Sequence, residues 1–117
     1  MADLLIRMQH TPYGGSKATD GLDFAIAATN YGHQVKLIFE GDGVYQLLKE
    51  QAPPTGIKNH LKRLKSLVFY DIEELYVCKP SLQSRNLGLE DLGVEAQVIA
   101  SQSLLELVSQ ADHVVTF

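Results

Sequence analysis

The chain has 117 residues, ten Lys and Arg against fourteen Asp and Glu, a net charge of −4 and 45% apolar side chains. That length suits one domain spanning 1–117, and that apolar share builds a core and excludes a disordered tail. The acidic balance argues against nucleic acid as the main direct partner, since phosphate binding needs clustered Lys and Arg.

Leu4, Leu5, Ile6 and Met8 make Asp3–Met8 a mostly buried first strand. The loop His10-Thr11-Pro12-Tyr13-Gly14-Gly15-Ser16 carries turn chemistry at Pro12 and the glycine pair. A helix fits Ala18–Tyr31, with Leu22, Ala25, Ile26 and Thr29 on one stripe and Gly32 as its left-handed C-cap. Gln34–Phe39 reads as the second strand, and Gly41-Asp42-Gly43 turns the chain into a short helix over Val44–Lys49. Gln51-Ala52-Pro53-Pro54-Thr55-Gly56 is a loop. Beyond it, Ile57, Leu61, Leu64 and Val68 fall at i, i+4, i+7 and i+11, the apolar stripe of a further helix.

Leu75–Cys78 is a short third strand, followed by a small helix over Leu82–Asn86 that Gly88 ends. Ala96–Ala100 is a fourth strand. Ser103-Leu104-Leu105-Glu106 matches a capping box opening another helix, and His113–Phe117 is the last strand. Strands alternating with helical patterns predict βαβ units, hence a three-layer α/β/α sandwich around a mostly parallel sheet of about five strands. Sites on such sheets form beyond the carboxyl ends of the strands, which selects loops 10–16, 40–44 and 78–81.

Cys78 is the single cysteine, so the fold stands without a disulfide and a reducing, cytoplasmic compartment is expected. The opening Met-Ala-Asp-Leu-Leu shows no secretory leader, and the longest apolar run, Phe24–Ala28, is far below the roughly 18 residues of a membrane span. Cys78 stands at a strand end with Lys79, Pro80 and Ser81 before a short helix. A helix N-terminus and the Lys79 charge both favour a thiolate, which suits nucleophilic attack or carriage of a sulfane sulfur. The alternative is a small buried hydrophobe.

Gly41-Asp42-Gly43 resembles a nucleotide-binding turn, but Gln46 stands where the third glycine of that fingerprint belongs, so a tight turn is the better reading. Gly14-Gly15-Ser16-Lys17 lacks the full phosphate-loop spacing for an anion cradle. His10, His33, His60 and His113 are scattered without zinc-site spacing, so neither a metal nor another cofactor is expected, and no Gly-x-Ser-x-Gly elbow supports a hydrolase. Lys58, His60, Lys62, Arg63 and Lys65 read as the solvated face of a helix, or else as a docking surface for an acidic partner or RNA. The aromatic-bearing segments 44–48, 67–70 and 114–117 suit either core or a subunit interface.

Gly21-Leu22-Asp23, Gly41-Asp42-Gly43-Val44-Tyr45-Gln46-Leu47-Leu48, Tyr70-Asp71-Ile72-Glu73 and Val77-Cys78-Lys79-Pro80-Ser81-Leu82-Gln83-Ser84-Arg85 resemble the DsrE/F-like family, and within it the TusC (DsrF-like) branch. The resemblance runs essentially end to end. It implies a subunit of a heterohexameric sulfur relay, assembled with TusB-like and TusD-like chains on similar α/β/α folds. Persulfide sulfur would enter from a TusA-like donor and leave through a TusE-like acceptor toward 2-thiouridine at the tRNA wobble position, so tRNA is met only indirectly. Related DsrF-like subunits work in sulfur oxidation instead. The family's persulfide cysteine falls on Cys78, with Lys79 and Ser81 beside it. Where relatives often have Arg-Gly, this chain has Arg85-Asn86, and Asn tolerates the same left-handed turn.

Overall fold

A computed structural model describes residues 2–57 and 59–117, so Met1 of the leader reading and Lys58 of the basic cluster lie outside the described residues. The apolar runs form β1 (Asp3–Met8), β2 (Gln34–Phe39) and β3 (Leu75–Cys78), with the bounds expected from sequence. β4 is Gln97–Ile99 and β5 is His113–Thr116. Among the described residues these five form one sheet in the order β4-β3-β2-β1-β5, and every pairing is parallel. The helices are α1 (Lys17–Asn30), α2 (His60–Ser66), α3 (Lys79–Ser84) and α4 (Ser101–Gln110). Short 3-10 helices cover Gly41–Leu47, Leu67–Tyr70 and Leu89–Asp91.

Strand alternation divides the sheet into two unequal faces. Leu4, Ile6, Met8, Val35, Leu37, Phe39, Leu75 and Val77 meet Leu22, Ala25 and Ala28 of α1, Val44 and Leu47 of the 41–47 turn, Leu61 and Leu64 of α2, and Leu82 of α3. The opposite face buries Leu5, Ile38 and Ile99 under Leu104, Leu107 and Val108 of α4 and its C-cap Ala111, with Tyr76 of β3 beside them. The three layers expected are present, with one outer layer reduced to a single helix.

Helix α1 rests on small residues rather than on the full predicted stripe. Ala18, Gly21, Leu22, Ala25 and Ala28 are buried, whereas Ile26 and Thr29 are half-buried. A Cβ at Gly21 would stand 2.5 Å from the Met8 sulfur, so the bare backbone is what lets this helix approach β1. Gly32 holds the expected left-handed conformation, φ +86°, after the helix. Asn86 does so after α3, with φ +54°.

Four elements differ from expectation, the first being the short helix expected over Val44–Lys49, which is a 3-10 turn that starts at Gly41 and ends at Leu47. The stripe from Ile57 to Val68 is shorter than its spacing suggests: α2 starts at His60, with the Asn59 side chain accepting from the Lys62 amide as N-cap, and the chain tightens into a 3-10 turn at Leu67. Leu61 and Leu64 are buried, while Ile57 and Val68 are 56% and 49% exposed. Ser103 opens no capping box, because α4 begins two residues earlier at Ser101 and its N-cap Ala100 has no side-chain bond to give. The helix placed at Leu82–Asn86 begins at Lys79, directly after β3.

Candidate functional site

Cys78 ends β3 and is also the N-cap of α3, whose first turn accommodates Pro80 because helix-opening amides need no partner there. Its register partner on β4 is Ile99, so its side chain belongs to the face that α4 covers. The thiol residue is 7% exposed. Cys78 therefore stands at the carboxyl edge of the sheet, as expected, but it is packed rather than displayed. Lys79 is exposed beside it.

Ser81 lies inside α3, and its hydroxyl accepts a 2.9 Å hydrogen bond from the Gly41 amide. That bond fastens the 41–47 turn to the cysteine's helix and leaves Ser81 a positioning part. Arg85 completes the clasp: it reaches Asp42 at 3.0 Å, donates to the Ser81 carbonyl at 3.1 Å and lies 5.9 Å over the Tyr45 ring. Gly41-Asp42-Gly43 is thus a tight turn, with Gly41 at φ +55° and Gly43 pressed against the Met8 carbonyl.

Sequence reading passed over Arg7 and Glu40. Arg7 interrupts the apolar run of β1, and alternation sends it to the α4 face, where its guanidinium holds Glu40 by two 2.7 Å bonds. Hydrogen bonding to Glu40 raises the Arg7 pKa above its ordinary value against the opposing cost of burial; the Glu40 charge and then Cys78 add smaller favourable parts. Arg7 is thereby a fixed, ion-paired group on the sheet face that also carries Cys78. Its signal in the sequence was one Arg inside an otherwise apolar stretch, Leu4–Met8.

A second polar centre lies under the loops of the same rim. Gln46 is fully buried, accepts from His60 Nε2 at 2.7 Å and donates its amide to the His10 carbonyl at 2.8 Å. Tyr13 accepts the His60 amide at 2.9 Å and donates to Gln51 Oε1 at 2.7 Å. Gln51 donates in turn to the carbonyls of Gln46 and Leu48. His60, grouped by sequence with a solvated basic face, is 3% exposed. Its first turn is where the short α2 meets the core, so the periodicity expected of a longer helix misplaced it. Burial, helped by the neighbouring Arg63 charge, pushes His60 down to about 4.

Among the described residues no group of three His, Cys, Asp or Glu side chains is placed to hold a metal ion, and no helix is long and apolar enough to cross a membrane. The aromatic segments separate. Val44 and Leu47 are core, whereas Phe69 is 84% and Tyr70 40% exposed; Phe117 packs on Phe24 with ring centroids 5.6 Å apart.

Residues 2–117 match the DsrE/DsrF-like family. The chain belongs to that family. This DsrE/DsrF-like chain is 37% identical, over the whole of both sequences, to the Protein TusC homolog of Vibrio parahaemolyticus serotype O3:K6. It is 32% identical to the Protein TusC homolog of Pseudomonas aeruginosa, over 97% of this chain and 96% of that one. The crystal structure of the ychN protein from E. coli superposes over the full length of both chains with a TM-score of 0.86 at 24% identity, a likeness of fold.

Proposed function

We propose that this DsrE/DsrF-like chain is the TusC-like subunit of a heteromeric sulfur relay that passes persulfide sulfur toward 2-thiouridine at the tRNA wobble position. The full-length likeness to TusC homologs carries this reading. Its partners are TusB-like and TusD-like chains in a heterohexamer, with a TusA-like donor and a TusE-like acceptor acting through the complex in the cytoplasm, and with tRNA met only indirectly. Its part is structural first. The exposed Phe69 and Tyr70 are the kind of surface that a sister chain covers.

Cys78 is an optional carrier in this scheme. Its thiolate attacks the outer sulfur of a donor persulfide, the S–S bond breaks, the donor leaves as a thiolate, and Cys78 becomes a persulfide. Lys79 and the α3 N-terminus offer positive charge to that anion, and Ser81 holds the neighbouring turn. Burial of Cys78, a residue 7% exposed, favours the structural role over a free-standing sulfurtransferase.

Co-expression with TusB-like and TusD-like chains tests the subunit reading: co-elution as one particle is expected, and separate elution refutes it. Mass measurement after treatment with a persulfide donor tests the cysteine. Gain of one sulfur by the isolated wild type, absent in Cys78→Ser, turns the reading to a self-sufficient sulfurtransferase. No gain leaves the scaffold role.

A further inference from the structure

We propose that the buried His60–Gln46–Tyr13–Gln51 network is a pH-responsive latch, which holds the loops at residues 10–13 and 41–51 against α2 and loosens them when His60 takes up a proton. The four side chains join segments distant in sequence: the loop after β1, the turn after β2, the strand-free stretch at Gln51 and the first turn of α2. Among the described residues every fully buried side-chain nitrogen and oxygen has at least one hydrogen-bond partner, the network's included.

Gln46 gives its amide nitrogen to the His10 carbonyl, so its oxygen faces the imidazole and His60 Nε2 carries the hydrogen. That bond survives protonation; burial of the charge does not. The groups around the ring offer little relief. Arg63 on α2 repels an imidazolium, Tyr13 and Gln51 are neutral, and the His10 ring is exposed and gives the network only its carbonyl. Asp23 of α1 is the nearby carboxylate, and it is bound to Arg63 at 2.7 Å and 62% exposed. A protonated ring is therefore driven out to water, and Gln46 loses the partner that its full burial requires.

A ring with ordinary basicity outside the site and a pKa of about 4 within it makes the open form about thirty-fold more populated at pH 5 than at pH 7.5. The latch works whether or not Cys78 carries sulfur. Hydrogen–deuterium exchange on the full chain, corrected for intrinsic rates, tests it. Protection of residues 9–16 and 41–52 is expected to fall about thirty-fold between pH 7.5 and 5 in wild type and to stay level in His60→Gln, while β2 and β3 keep theirs. Equal pH dependence in both proteins, or parallel loss of protection across the sheet, overturns the latch. NMR titration of His60 in wild type decides if the variant does not fold: a midpoint near 6.5 with unchanged loop exchange also overturns it, and a midpoint well below 6.5 with loop opening supports it.

Discussion

Gly43→Ala is the sharpest test of how the rim beside Cys78 is built. An ideal Cβ at Gly43 falls 1.9 Å from the Met8 carbonyl oxygen and 2.6 Å from its carbon. Ordinary carbon–oxygen contacts are about 3.3 Å, so the turn must move by more than about 1 Å, and the obstacle is backbone that no rotamer can clear. The same Met8 oxygen accepts from the Glu40 amide at 3.1 Å, and the Gly43 amide donates to the Glu40 carbonyl at 2.9 Å. Losing these bonds costs about 1 kcal/mol each and the overpacking about 1–3 kcal/mol, giving about 4 kcal/mol of lost stability. That corresponds to a fall in Tm of roughly 15–20 °C. Gly41→Ala is the control: its Cβ enters open space, and the positive φ alone costs about 1 kcal/mol. Urea unfolding followed by far-UV circular dichroism measures both. A Gly43→Ala midpoint shifted no further than that of Gly41→Ala, at unchanged m, refutes the close approach of the 41–47 turn to β1.

The lowered His60 pKa makes the unfolded chain bind the extra proton, so stability present above pH 6.5 is lost as pH falls toward about 4; wild type should lose about 2 kcal/mol more than His60→Gln between pH 7.5 and 5 in urea titrations. Leu64→Ala should cost about 3 kcal/mol and Ile57→Ala less than about 0.5 kcal/mol by the same method, because α2 buries only the first of them. Arg7→Met removes the bidentate partner of Glu40, whose side chain is 13% exposed in the intact pair, for a loss of about 2 kcal/mol. The double variant Arg7→Met/Glu40→Gln should regain at least half of that loss, as a double-mutant cycle will show.

Three strands were legible to the residue because Asp3–Met8, Gln34–Phe39 and Leu75–Cys78 are apolar runs bounded by polar or turn residues. The crevice loops were legible too, since parallel βαβ topology fixes which end carries them, and Ser81 and Asp42 do bring loops 40–44 and 78–81 together. Long-range pairing was not. Arg7 finds Glu40 across 33 positions and Gln46 finds His60 across 14, and neither spacing leaves a mark on local periodicity. Periodicity also misled where it continued past the real helix: Ile57 and Val68 keep the stripe, yet Asn59 caps the chain at one end and the 3-10 turn takes over at the other. The Ser103–Glu106 pattern failed for a related reason, since α4 is already under way when it is reached.

Strand β1 sits between β2 and β5, and its hydrogen-bonding edges are filled by segments made at very different times. β2 follows it after one helix, whereas His113–Thr116 is translated about a hundred residues later. At synthesis rates of 5–20 residues per second, a nascent β1 waits roughly 5 to 20 s with one flank bare. β5 then closes the outer flank of β1 and becomes the edge of the sheet, so the longest-range pairing of the fold waits on its most distant strand.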